Sequence, residues 1–193
     1  FDNSFTDNGT TSVALPPNYV GELDSSSTFA DPDQTKRVRI HGGSVLDDAT
    51  WQKLDADYEV LGDISVSGPR DPILFVEPGN TFYMAGGSSV SAGGDGAMII
   101  EAGPPEDRVT FTSSNPAPGP GDWGGLTIGD NGPLDSRLQS VLDGVNVEYS
   151  SNPINVVGCF NSPTKGPLVI SNVDIISSST IGIDHGTGQL ILD

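Results

Sequence analysis

The run Asp130-Asn131-Gly132-Pro133-Leu134-Asp135 gathers three oxygen-bearing side chains within six residues. Carboxylate and amide oxygens on a tight loop are the ligands that a hard cation such as Ca²⁺ takes. Asp130, Asn131 and Asp135 are therefore the candidate metal ligands, and calcium is the one cofactor this sequence suggests. The competing reading is plain turn chemistry, because Asp-Asn-Gly is also an ordinary turn. A second run, Gly93-Gly94-Asp95-Gly96-Ala97-Met98, begins like the Gly-Gly-x-Gly-x-Asp calcium repeat. It puts Met98 where the ligand carboxylate belongs, and it occurs once, so it does not build a calcium-stapled roll.

Hydrolytic chemistry on sugars needs two carboxylates facing one groove. Asp143, Glu148, Asp174 and Asp184 are close enough in sequence to be considered, but nothing selects one pair over the many others. A lyase needs a basic residue to take a proton next to a carboxylate, together with a field that attracts an anionic polymer. With 8 Lys+Arg against 26 Asp+Glu, the field has the wrong sign. His41, His185 and Cys159 are too few for a zinc site or a nucleophile pair. Cys159 reads as a small buried apolar residue. No catalytic residue is assigned. Trp123, beside Gly124 and Gly125, is the candidate ligand-binding residue, a sugar-stacking platform if its ring faces outward. The alternative folds the ring back onto the wall of the domain.

The formal charge of -18 repels phosphate backbones and argues against nucleic acid. No apolar run approaches the roughly 18 residues of a membrane helix. The single Cys cannot form an internal disulfide. The chain starts at Phe1 without a Met, which fits either a removed leader or an excerpt of a longer protein; beyond that, Lys is scarce, Cys occurs once, and Gly, Asn, Ser and Thr are abundant. These features suggest a secreted or cell-surface protein.

The elements that must carry these residues are short. From Val38 onward, alternating segments of three to five residues recur, among them Tyr58-Glu59-Val60, Ile64-Ser65-Val66, Thr81-Phe82-Tyr83-Met84 and Val109-Thr110-Phe111-Thr112. Alternation of this kind signals strands with one buried face. Two-residue hairpin signals are scarce between them, and Gly, Pro, Asn and Asp mark frequent corners. Such a chain suits a coil in which each strand pairs with its equivalent one turn later, about 20 to 25 residues on. Six or seven turns fit between residues 38 and 193. Only Asp47–Leu54 reads as helical, from its acidic start. Residues 1–37 read as an extended arm or linker carrying scattered apolar residues, with Pro16-Pro17 breaking any regular structure.

Five stretches in succession carry a family resemblance. They are Val45-Leu46-Asp47-Asp48-Ala49-Thr50-Trp51, Tyr58-Glu59-Val60-Leu61-Gly62-Asp63-Ile64-Ser65-Val66, Ile73-Leu74-Phe75-Val76-Glu77-Pro78-Gly79, and Val109-Thr110-Phe111-Thr112-Ser113-Ser114 followed by Gly121-Asp122-Trp123-Gly124-Gly125. In this order they resemble the secreted right-handed parallel β-helix proteins of bacteria, over about residues 38 to 150. The resemblance implies a surface or secreted module whose motifs are architectural and carry no catalytic residues.

The expectation is thus an all-β, right-handed parallel β-helix over 38–193 with an N-terminal arm at 1–37. Its expected role is extracellular and non-catalytic: structural, adhesive or self-assembling. The rival is a carbohydrate-active or carbohydrate-binding β-helix. The expected partners are other copies of the chain, stacked end to end through the rungs near Val38 and Leu190, or surface glycans.

Overall fold

The structure is a computed structural model and describes residues 3–5, 13–29, 37–94, 96–129, 140–159, 168–187 and 190–192. It is a parallel β-helix. Every strand pairing among the described residues is parallel, and partners lie one coil apart in sequence. A coil visits three faces. The first holds Val13–Leu15, Arg37–Ile40, Asp57–Val60, Thr81–Met84 and Val109–Ser113. The second is a six-stranded sheet of Gly43–Val45, Ile64–Val66, Ser89–Ala92, Gly125–Gly129, Ile154–Cys159 and Ile183–Thr187. The third holds Ala49–Trp51, Ile73–Val76, Ala97–Glu101 and, further up the stack, Leu190–Leu192.

Two long strands join the third face to the first. Val141–Glu148 pairs with Ile99–Glu101 through its first half and with Val109–Phe111 through its second. Leu168–Ile176 continues both halves one coil later. The corner inside each is a single left-handed residue: Gly144 at φ 71 and, stacked on it, Asn172 at φ 51. Asn is one of the few side chains that tolerates this region, because its amide bonds locally. Here the Asn172 amide donates to Asp143 Oδ1 at 2.8 Å.

Alternation puts one row of side chains inside and the next outside. On the first face the inner row runs Val38, Tyr58, Phe82, Phe111, Val147, all buried. Tyr58 stacks on Phe82 at 5.1 Å and Phe82 on Phe111 at 4.9 Å. Trp51 closes against both Tyr58 and Phe82 from the third face. The core is a narrow column, which is how 35% apolar residues suffice. Coil length varies: 20 residues separate Arg39 from its neighbour Glu59, and 36 separate Thr112 from Glu148. The inner rows stay in register across this difference.

The chain reads differently at three places. Asp47–Leu54 is not helical; Ala49–Trp51 is a strand paired with Leu74–Val76. Its acids serve the neighbouring coil, since Asp48 Oδ1 accepts the Ile73 N–H at 2.9 Å. The parallel stack also reaches back before residue 38. Val13–Leu15 pairs with Val38–Ile40, and a 3-10 turn at Pro17–Glu22 packs against the first strands of the second and third faces. Val38 is therefore an interior rung, paired on both sides, and not an end through which copies could stack.

Candidate functional site

Trp123 is 1% exposed. Its indole N–H donates to the Glu148 carbonyl at 2.7 Å, and its ring lies 6.3 Å from Phe111. The expected glycan platform is corrected: no ring face is left for a sugar. The neighbouring glycines let this happen, because Gly124 and Gly125 lie hard against the backbones of Ser88 and Asn152. Asp130, Asn131 and Asp135 lie outside the described residues, as does Asp95. Among the described residues, no group of three or more His, Cys, Asp or Glu is placed to hold a metal ion. His41 is exposed at the corner after Arg37–Ile40.

Three of the four sugar-hydrolysis carboxylates have other partners, and the fourth, Asp184, is exposed. Asp143 accepts from the Ser171 hydroxyl at 2.7 Å as well as from Asn172. Glu148 accepts from Thr112 at 2.8 Å. Asp174 pairs with Arg108, which also donates to Asn146 at 2.9 Å.

The same use of acids recurs along the stack. Asp63 Oδ1 takes both the Ser89 N–H, at 2.9 Å, and its hydroxyl, at 2.8 Å. Glu77 takes the Lys53 N–H at 2.8 Å, and Asp55 the Phe29 N–H at 3.1 Å. These three pairs lie 24 to 26 residues apart, one coil to the next. A carboxylate beside a backbone N–H makes a charge-assisted bond, stronger than a neutral one. Asp122 does this within its own loop. The Ser113 hydroxyl, 2.6 Å away, and then the Gly119 N–H hold its carboxyl below the usual aspartate range. Inside the column, burial and then the Glu77 charge push the Tyr58 hydroxyl well above the ordinary tyrosine range, and it donates to the Gln52 carbonyl at 2.7 Å.

The outer walls differ. The first face carries Arg37, Arg39, Glu59 and Tyr83 together: Glu59 sits 2.7 Å from Arg39 and 3.5 Å from Arg37, and the Arg37 guanidinium lies 3.7 Å over the Tyr83 ring. The second face presents a row of small polar residues, Ser44, Ser65, Ser91, Thr127 and Asn155. The third face presents an outer row of Phe75, Ile99, Val141 and Val169. No sequence signal flagged that row, because its members are scattered through the chain and meet only when the coils stack.

This arrangement defines the class as a parallel β-helix in which several acids join neighbouring coils. The chain matches no protein-family model, no curated protein and no solved structure. Among the described residues, no helix is long and apolar enough to cross a membrane.

Proposed function

We propose that this chain is a non-catalytic structural module of the cell surface or extracellular space. The observation that carries the reading is the carboxylate pattern: acids on the first and third faces and at the corners accept hydrogen bonds from a neighbouring coil. Acids engaged in holding a stack are poor general acids and bases, which need to exchange protons with a substrate. The resemblance to secreted bacterial β-helix proteins and the acidic, cysteine-poor composition support an extracellular setting. End-to-end association of copies, or binding of surface glycans, belongs to the same proposal.

Antibody labelling of intact producing cells tests the location: labelling without permeabilisation is expected, and labelling only after permeabilisation overturns it. Incubation with a panel of neutral and anionic polysaccharides tests the chemistry. No new reducing ends are expected. Release that disappears in Asp143→Asn or Asp174→Asn would show an enzyme instead. Sedimentation velocity at rising concentration reads self-assembly, and a strictly monomeric boundary removes stacking from the proposal.

A further inference from the structure

The outer row of the third face is apolar on four successive coils. Phe75 pairs with Ile99, Ile99 with Val141, and Val141 with Val169. Phe75 is 40% exposed, and the other three are half-buried. Neighbouring strands lie about 4.8 Å apart, so the row forms a ridge about 14 Å long, parallel to the stack axis. One pleat to the side runs a second row of Glu77, Glu101 and Asp143, in register with the first. A groove lies between the two rows, lined by Phe75, Val76, Glu77, Pro78, Ile99 and Glu101. Lys53, whose backbone meets Glu77, turns its ammonium to Asp57 at 3.8 Å, and among the described residues no Lys or Arg forms an ion pair with the acidic row.

We propose that this face docks a basic amphipathic α-helix of a protein partner, laid along the stack axis. Three properties select that occupant. The ridge runs across the strands, so a ligand following it meets one coil every 4.8 Å or so. A helix turn rises about 5.4 Å, so residues at i, i+3 or i+4 and i+7 fall close to successive coils. The acidic row flanks the apolar one on one side, which suits a helix with Lys or Arg beside its apolar stripe. A second copy of this chain is the poorer occupant, because face-to-face pairing would bring two acidic rows together in a protein of charge -18. The inference stands apart from the scaffold assignment and does not depend on it.

The test uses the full chain and a fluorescein-labelled 18-residue helical peptide with Leu at i, i+3, i+4 and i+7 and Lys flanking that stripe on one side. Fluorescence anisotropy reads the affinity at low salt. Phe75→Ser is expected to weaken binding at least tenfold, and Glu101→Gln about threefold. Raising NaCl from 50 to 500 mM should weaken wild-type binding several-fold and weaken the Glu101→Gln variant less. Glu106→Gln removes the same charge outside the groove and should leave affinity unchanged. Both groove positions are exposed, and cooperative thermal unfolding of each variant confirms that the fold persists. Equal loss from Glu106→Gln and Glu101→Gln would show nonspecific attraction to an acidic protein and overturn the proposal. Unchanged binding in Phe75→Ser would overturn it as well. So would a concentration-dependent dimer of the free chain that Phe75→Ser abolishes, since the occupant would then be a second copy.

Discussion

Gly125 sits at φ +110, and a Cβ there would meet the Asn152 carbonyl oxygen at 1.7 Å. No side-chain rotation relieves a contact with backbone, so the next coil must move. Strain in that region and forced overpacking each cost about 1–3 kcal/mol. Gly125→Ala should therefore destabilise the protein by about 3 kcal/mol or more in urea unfolding. A loss under about 1 kcal/mol would show that the coil yields there. Asp122 makes a prediction with a definite sign. Its folded carboxyl titrates below the ordinary 3.8 because Ser113 and Gly119 bond the charged form. That contribution is complete above about pH 3.8 and is lost as pH falls through the lower, folded value. Asp122→Asn should thus lower Tm at pH 7, and the gap to wild type should narrow below about pH 3.8. A gap that is constant across pH 3 to 7 would mean that the carboxylate charge is not what the loop uses.

At the scale of the strand, the two sides of the coil should answer differently to the same truncation. Phe82 points inward, stacked between Tyr58 and Phe111, while Phe75 points outward. Phe82→Ala should cost about 3–5 kcal/mol, as expected for a buried aromatic. Phe75→Ala should cost under about 1 kcal/mol, as expected at an exposed position. Similar losses at both would mean that the third face is covered in the free protein. The alternation that separates these residues was legible in the sequence, and so were most strands, since Val, Ile and Phe recur there at period two. Gly43–Val45 was not legible, because one apolar residue in three carries no period. Ala49–Trp51 was hidden by Asp47 and Asp48, whose position before it mimics a helix start. In Val141–Glu148 and Leu168–Ile176 the full length of the strand is hidden, because a left-handed residue interrupts the alternation without ending the pairing. The burial of Trp123 and the apolar ridge of the third face depend on which coils become neighbours. Loops of unequal length set that register, and local pattern does not encode it.

At the scale of the whole molecule, charge is the dominant unbalanced term. The sequence holds 26 acidic and 8 basic residues, and the described ion pairs use Arg37, Arg39, Lys53, Arg70 and Arg108. Acidic residues therefore outnumber basic ones more than threefold. Parallel stacking sharpens the repulsion among the acids, because like residues line up in rows about 4.8 Å apart, well inside the Debye length of about 10 Å at 0.1 M salt. Unfolding lets these charges separate, so repulsion penalises the folded state more than the open chain. Salt screens both repulsion and ion pairs, and the acids outnumber the pairs. Raising NaCl from 20 to 500 mM at pH 7 should thus raise Tm, with each 1 kcal/mol of relieved repulsion worth about 2–4 °C for a chain of this size. Glu101→Gln, which thins the acidic row of the third face, should raise Tm at 20 mM salt and lose that advantage at 500 mM. A Tm that falls with salt would instead show that the stack depends on its ion pairs more than it suffers from its net charge.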